Sequence, residues 1–126
     1  MNENESSEKI IGLAIKVHST LGPGLLESAY EKALVFELNR NGFKLEVQKN
    51  IPINYEGMII DEGYRADIIV NDMVLVELKS VKQIEDIHLK QLLTYLRLSD
   101  KKLGLLINFN EILLKNGIKR VINGKI

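Results

Sequence analysis

Hydrophobic and polar residues alternate with a period of two from Gly63 to Ser80, through G-Y-R-A-D-I-I-V-N-D-M-V-L-V-E-L-K-S. Such alternation puts successive side chains on opposite faces of a sheet, so the stretch predicts two strands and a turn. Tyr64, Ala66, Ile68 and Val70 share one face, and Val74, Val76 and Leu78 form a wholly apolar face on the second strand. The opposite rows, Arg65-Asp67-Ile69 and Lys79-Glu77-Leu75, run from charged to apolar toward the turn. A two-residue loop at Asn71 and Asp72 would throw Asp67 and Glu77 onto opposite faces. An odd loop of about three residues, or one bulge, pairs Asp67 with Glu77 and Arg65 with Lys79, and only this register buries the apolar rows together.

Helical spacing dominates the N-terminal third. Ser6 or Ser7 can cap a first helix running to about Thr20, with Ile10, Ala14, Val17, His18 and Leu21 on one stripe. Gly22-Pro23-Gly24 breaks it. A second helix is predicted from about Leu25 to Asn41, with Gly42 as a left-handed C-terminal cap and Leu26, Tyr30, Ala33, Leu34 and Leu38 as its apolar arc. Glu27 projects onto the buried side of that arc, an odd place for a carboxylate, although a first-turn partner of the helix dipole reads equally well.

Lys44 to Lys49 and Ile51 to Tyr55 read as two strands, and Pro52 argues for an edge or a bulge. Glu56-Gly57 and Asp61-Glu62-Gly63 read as turns. After the central pair, a third helix spans about Gln83 to Leu98, with Ile84, Ile87, Leu92, Leu96 and Leu98 apolar. His88, Gln91 and Tyr95 lie inside that arc and point the same way, so they need partners if buried. Leu103 to Phe109 suits a strand buried on both faces, and Ile118 to Asn123 a short final strand. The pattern predicts an α/β domain with a small mixed sheet flanked by helices, in the order α-α-β-β-β-β-α-β, as a single unit over residues 1–126.

Composition narrows the chemistry. With 126 residues, 45% hydrophobic and 27% charged, the chain has the make-up of one ordinary globular domain. It has no cysteine and only His18 and His88, which excludes thiol catalysis and zinc-thiolate sites and disfavours a histidine-rich metal site. Oxygen chemistry remains. No apolar run approaches a membrane span, and the acidic start M-N-E-N-E-S-S-E is unlike a signal peptide, so a cytoplasmic location is the default expectation. Net charge is +0, yet Lys101, Lys102, Lys115, Lys119, Arg120 and Lys125 face only Glu111 near the C-terminus, which permits a basic patch.

Against that background the paired carboxylates gain weight. Asp67 and Glu77 side by side repel one another unless a cation lies between them, and a divalent metal with oxygen ligands is the natural candidate. Lys79 shares the strand face of Glu77 and can reach the same water or phosphate. Two carboxylates and a lysine on one sheet edge form a minimal hydrolytic site. The plainer alternative is a solvated strand end with salt bridges between Glu77, Lys79, Arg65 and Asp67.

Asp67, then Glu77-Leu78-Lys79 on the next strand, then a helix carrying Gln91 and Tyr95, together resemble the PD-(D/E)xK nuclease superfamily. The stretch G-P-G-L-L-E-S-A-Y, holding Gly24, Glu27 and Tyr30, is similar to the pattern for which the GxxExxY family is named, and R-A-D, E-L-K and Q-L-L-T-Y follow it in order. Ala66 stands where the superfamily's proline would precede the aspartate. The resemblance implies a restriction-endonuclease-like core and a nuclease that cuts phosphodiester bonds with Mg2+ or Mn2+. It further implies Asp67 and Glu77 as metal ligands, Glu27 as an accessory acidic residue and metal ligand, and Lys79 orienting the attacking water. Gln91 and Tyr95 match helix positions that support the site. The implied partner is nucleic acid, DNA ahead of RNA. Few loops are available to wrap a duplex, which adds an expectation of a homodimer. A satisfied polar pair remains the plainer reading of Gln91 and Tyr95, and His18 and His88 read as structural. A non-catalytic module binding nucleic acid or a protein on the same fold is the alternative.

Overall fold

The computed structural model describes residues 1–126. Helices α1 (Glu3–Leu21) and α2 (Glu27–Arg40) precede strands β1 (Leu45–Tyr55), β2 (Met58–Val70) and β3 (Val74–Lys79). Helix α3 (Asp86–Ser99), strand β4 (Leu103–Asn108), a 3-10 turn (Leu114–Gly117) and strand β5 (Ile118–Ile122) follow. The strands form one sheet in the order β1-β2-β3-β4-β5, parallel only between β3 and β4, the pair that α3 connects. Helices α1 and α2 cover one face with Ile10, Ala14, Tyr30 and Leu34, and α3 covers the other with Leu92 and Leu96. This is an α/β mixed sheet with flanking helices, the restriction-endonuclease-like arrangement.

Several boundaries differ from the sequence pattern, each for a physical reason. Helix α1 starts ahead of Ser6 and Ser7, because Asn2 accepts the Glu5 N–H at 2.8 Å while Glu5 accepts the Asn2 N–H at 3.0 Å. Both serines are buried inside the helix, and Leu21 at its end is exposed rather than part of the stripe. Leu26 is exposed as well, since α2 begins only at Glu27, which is itself exposed rather than on the buried side. Its other end is as expected. Gly42 has φ 83°, and the Gly42 and Phe43 amides reach back to Asn39 and Leu38 at 3.0 and 3.1 Å. Helix α3 begins at Asp86, not near Gln83, and Ile87 in its first turn is exposed.

The two strands expected on either side of Asn50 are one long strand, β1, so the element order is α-α-β-β-β-α-β-β. Pro52 sits in this edge strand where the register with β2 shifts between Ile51 and Ile53, which spares the ladder the amide that proline lacks. Asp61, Glu62 and Gly63 belong to β2 instead of a turn. A Cβ at Gly63 would come within 2.3 Å of Ile53, so the glycine serves close strand packing. Between β2 and β3 the loop is Asn71 to Met73, with φ 53° at both Asn71 and Asp72, and the pairs Ile68↔Val76, Ile69↔Leu75 and Val70↔Val74 set the odd-loop register.

Strict alternation along β2 fails at one place. Ile68 and Val70 pack toward α1 and α2, but Tyr64 and Ala66 pack toward α3. β1 does the same, with Leu45 on the first side and Ile51 on the second. The pairing passes from Val47↔Ile68 to Lys49↔Ala66 and skips Gln48 and Asp67, and Gln48 has φ 52°. Both strands therefore change face at the Gln48/Asp67 position, with no slip in register.

Candidate functional site

Asp67 occupies the turnover point of β2, and its carboxylate takes over part of the ladder. Oδ2 accepts the Leu78 N–H of β3 at 2.8 Å, and Oδ1 accepts from Gln48 Nε2 at 3.3 Å. Across the strand boundary, Oε1 of Glu77 lies 3.4 Å from the Asp67 N–H and accepts a hydrogen bond from the Tyr64 hydroxyl. Tyr64 reaches it only because β2 has changed face. Glu77 is 8% exposed, the one buried carboxylate in the α3-side layer.

Burial, and after it the negative charge of Asp67, pushes the Glu77 carboxyl up to about 8. Burial and the Glu77 charge also raise the Tyr64 and Tyr95 hydroxyls. The rings of Tyr64 and Tyr95 stack at 3.4 Å between centroids.

Glu77, Lys79, Gln91 and Tyr95 line a single cavity of about 250 Å³ between β3 and α3. Four of the six residues singled out from the sequence thus meet at one opening. Asp67 adjoins them through Glu77. Glu27 does not join: it is exposed in the first turn of α2, and Glu31, one turn further along, is the α2 carboxylate nearer Asp67. Gln48 Nε2 donates to Glu31 Oε1 at 2.5 Å as well as to Asp67, and burial raises the Glu31 carboxyl.

The sequence pattern did not single out Tyr64, Arg65 or His88 as cavity residues, yet all three line it. Tyr64 was hidden by the face change. The His88 signal was present, since it shares its helical face with Gln91 and Tyr95. Glu31 could also have been found, four residues from Glu27 on the same face of α2.

No three His, Asp or Glu side chains converge as a metal-ligand group. The oxygen pair of Asp67 and Glu77 nonetheless suits a hard divalent cation. Magnesium is held by one or two carboxylates together with water and phosphate oxygens, and a cation would offset the Asp67 repulsion that, after burial, holds the Glu77 carboxyl up. No helix is long and apolar enough to cross a membrane.

A family model described as the PD-(D/E)XK nuclease superfamily matches residues 4–121. No curated protein and no solved structure matches the chain.

Proposed function

Because the chain belongs to the PD-(D/E)XK nuclease superfamily, we propose that it is a metal-dependent nuclease hydrolysing phosphodiester bonds of nucleic acid, DNA ahead of RNA, within the GxxExxY group. The observation that carries this is the meeting of Glu77, Lys79, Gln91 and Tyr95 around one cavity, with Asp67 hydrogen-bonded at its back.

Asp67 and Glu77 would hold Mg2+ or Mn2+, which supplies charge neutralisation and a water of lowered pKa. The chain's own groups do the rest. Tyr64 orients the Glu77 carboxylate through its hydroxyl, and Tyr95 holds Tyr64 by stacking. Lys79, two residues from Glu77 on the same face, presents an ammonium that orients the attacking water and meets the charge gathering on the phosphoryl oxygens. Gln91 offers an amide donor from α3. Glu31, tied through Gln48 to Asp67, takes the accessory acidic role expected of Glu27.

A cleavage panel with Mg2+ and Mn2+ on plasmid, single-stranded DNA and structured RNA tests the reading. Glu77→Ala and Lys79→Ala should abolish cleavage in a folded protein, and cleavage persisting in the double variant would assign it to a contaminant. A second reading, a non-catalytic module, is favoured by one feature: both Asp67 oxygens already accept hydrogen bonds from the chain. Absence of heat on titrating Mg2+ or Mn2+ would select it. Homodimerisation, which would extend the surface offered to a duplex, is read out by sedimentation.

A further inference from the structure

His88 stands at the third position of α3, and its Nδ1 accepts the backbone N–H of Glu85 at 3.0 Å. A ring nitrogen that accepts cannot carry the proton, so the neutral imidazole is held as the Nε2–H tautomer. Nε2 makes no hydrogen bond within the chain, while the half-buried ring lines the cavity that Glu77, Lys79 and Gln91 share. The donor is therefore fixed in identity by a backbone amide and left without a partner in the chain, on a ring that lines the cavity. Arg65 lines the same cavity, so its rim offers two basic side chains, Arg65 and Lys79, beside the imidazole and the Gln91 amide. That set of donors matches an anionic phosphoryl group.

We infer that His88 is a substrate-binding residue of this site, donating from Nε2 to a phosphoryl oxygen of bound nucleic acid while the Glu85 amide fixes its tautomer. This deepens the nuclease reading and rests on it.

Two substitutions separate binding from structure. His88→Asn keeps an acceptor for the Glu85 amide but removes the far donor. His88→Gln keeps a far N–H donor but loses that acceptor. Binding of a short single-stranded oligonucleotide in chelator should weaken roughly tenfold or more in His88→Asn, as expected for a lost hydrogen bond to a charged group, with its melting temperature close to wild type. His88→Gln should melt lower and retain most of the binding. A purely structural histidine predicts the reverse order.

The imidazole nitrogen resonances give a readout without activity. Adding the oligonucleotide should shift Nε2 of His88 and leave His18 unmoved, because the His18 Nε2 is already engaged with the Glu111 carbonyl at 2.7 Å inside the fold. An unmoved His88 signal, or wild-type binding by His88→Asn, overturns the inference whether or not the protein cleaves. A shifted His88 signal in a protein that cleaves nothing with any divalent ion sinks the nuclease reading and leaves the phosphate contact standing.

Discussion

Tyr95 of α3 lies flat against Tyr64 of β2, with 3.4 Å between ring centroids and 13° between planes, and Tyr64 in turn donates its hydroxyl to Glu77. A helix residue thereby governs where a strand carboxylate points. The hydroxyl is also the strongest influence holding the Glu77 carboxyl down against burial and Asp67.

Tyr64→Phe should consequently raise the Glu77 carboxyl further and weaken metal binding at neutral pH. Loss of one hydrogen bond to a buried group costs about 1–3 kcal/mol of stability. Tyr95→Phe keeps the stack and should leave both properties near wild type, whereas Tyr95→Ala should lower Mg2+ affinity. Calorimetric titration together with thermal melts checks the pair, and equal behaviour of Tyr95→Phe and Tyr95→Ala would show that the stack has no such role.

Without metal, the protein should lose stability as pH rises. In the unfolded chain the Glu77 carboxyl has the ordinary value of 4.5, and in the folded chain about 8. Between the two the native state keeps a proton that the unfolded state has released, so the stabilisation present below the lower value is lost progressively up to the higher one. The loss is on the order of a few kcal/mol. Melts in chelator from about pH 5 to about pH 8.5 should fall for wild type and stay flatter for Glu77→Gln. Added Mg2+ should restore stability most at the alkaline end, where the ionised carboxylate can bind it. A flat wild-type profile would contradict this.

The odd three-residue turn was legible from alternation and the buried β4 strand from its unbroken apolar run, but the ladder between β2 and β3 ends at Ile68↔Val76, so the expected pairing of Asp67 with Glu77 and of Arg65 with Lys79 is not part of it. Hydrophobic period and turn length are local properties. The face change at Gln48 and Asp67 was not legible, because it needs one residue in each of two strands to depart from the ladder, and nothing local to Gln48 announces φ 52°. With it went the position of Tyr64. Glu27 lies elsewhere than the helical arc suggested for a different reason: helix α2 starts at Glu27 itself, and Glu27, Ser28 and Ala29 stay exposed while the helix first enters the core at Tyr30.

Gln48 should therefore be sensitive in a way its exposure does not suggest. A β-branched side chain is strained in the left-handed region, so Gln48→Val should destabilise by roughly 1–3 kcal/mol and disturb the Asp67 carboxylate. Gln48→Gly relieves the strain but removes the bond to Asp67. Stability at or above wild type with reduced Mg2+ affinity is the expected result for the glycine variant. Equal stability of the valine and glycine variants would show that the strand does not need this backbone conformation.

α3 is seated on β4 through a contact that leaves no spare volume: a Cβ at Gly104 would lie 2.9 Å from the Leu92 side chain. Gly104→Ala must push Leu92, and with it the helix that carries His88, Gln91 and Tyr95. Overpacking of this kind costs about 1–3 kcal/mol, and the cavity should widen. A lower melting temperature accompanied by weaker oligonucleotide binding is expected. Leu92→Ala in the same chain should recover binding more than stability, since it relieves the clash while leaving apolar surface unfilled.

The two acidic residues of α2 give the sharpest contrast. Glu27 is exposed and tied to neither Asp67 nor Gln48, while Glu31 is half-buried and shares the Gln48 amide with Asp67. The Gln48 amide links Glu31 to Asp67 at hydrogen-bond distance, whereas Glu27 has no such link and lies exposed to screening by water. Glu31→Gln should thus change Mg2+ affinity and the pH dependence of cleavage, and Glu27→Gln should change either far less. Raising the ionic strength should shrink the small Glu27 effect proportionally more than the Glu31 effect, which acts through direct hydrogen bonds. If Glu27→Gln proved the more damaging of the two, α2 would have to reorient when metal and substrate bind, bringing its first turn over Asp67, and the accessory acidic role would return to Glu27.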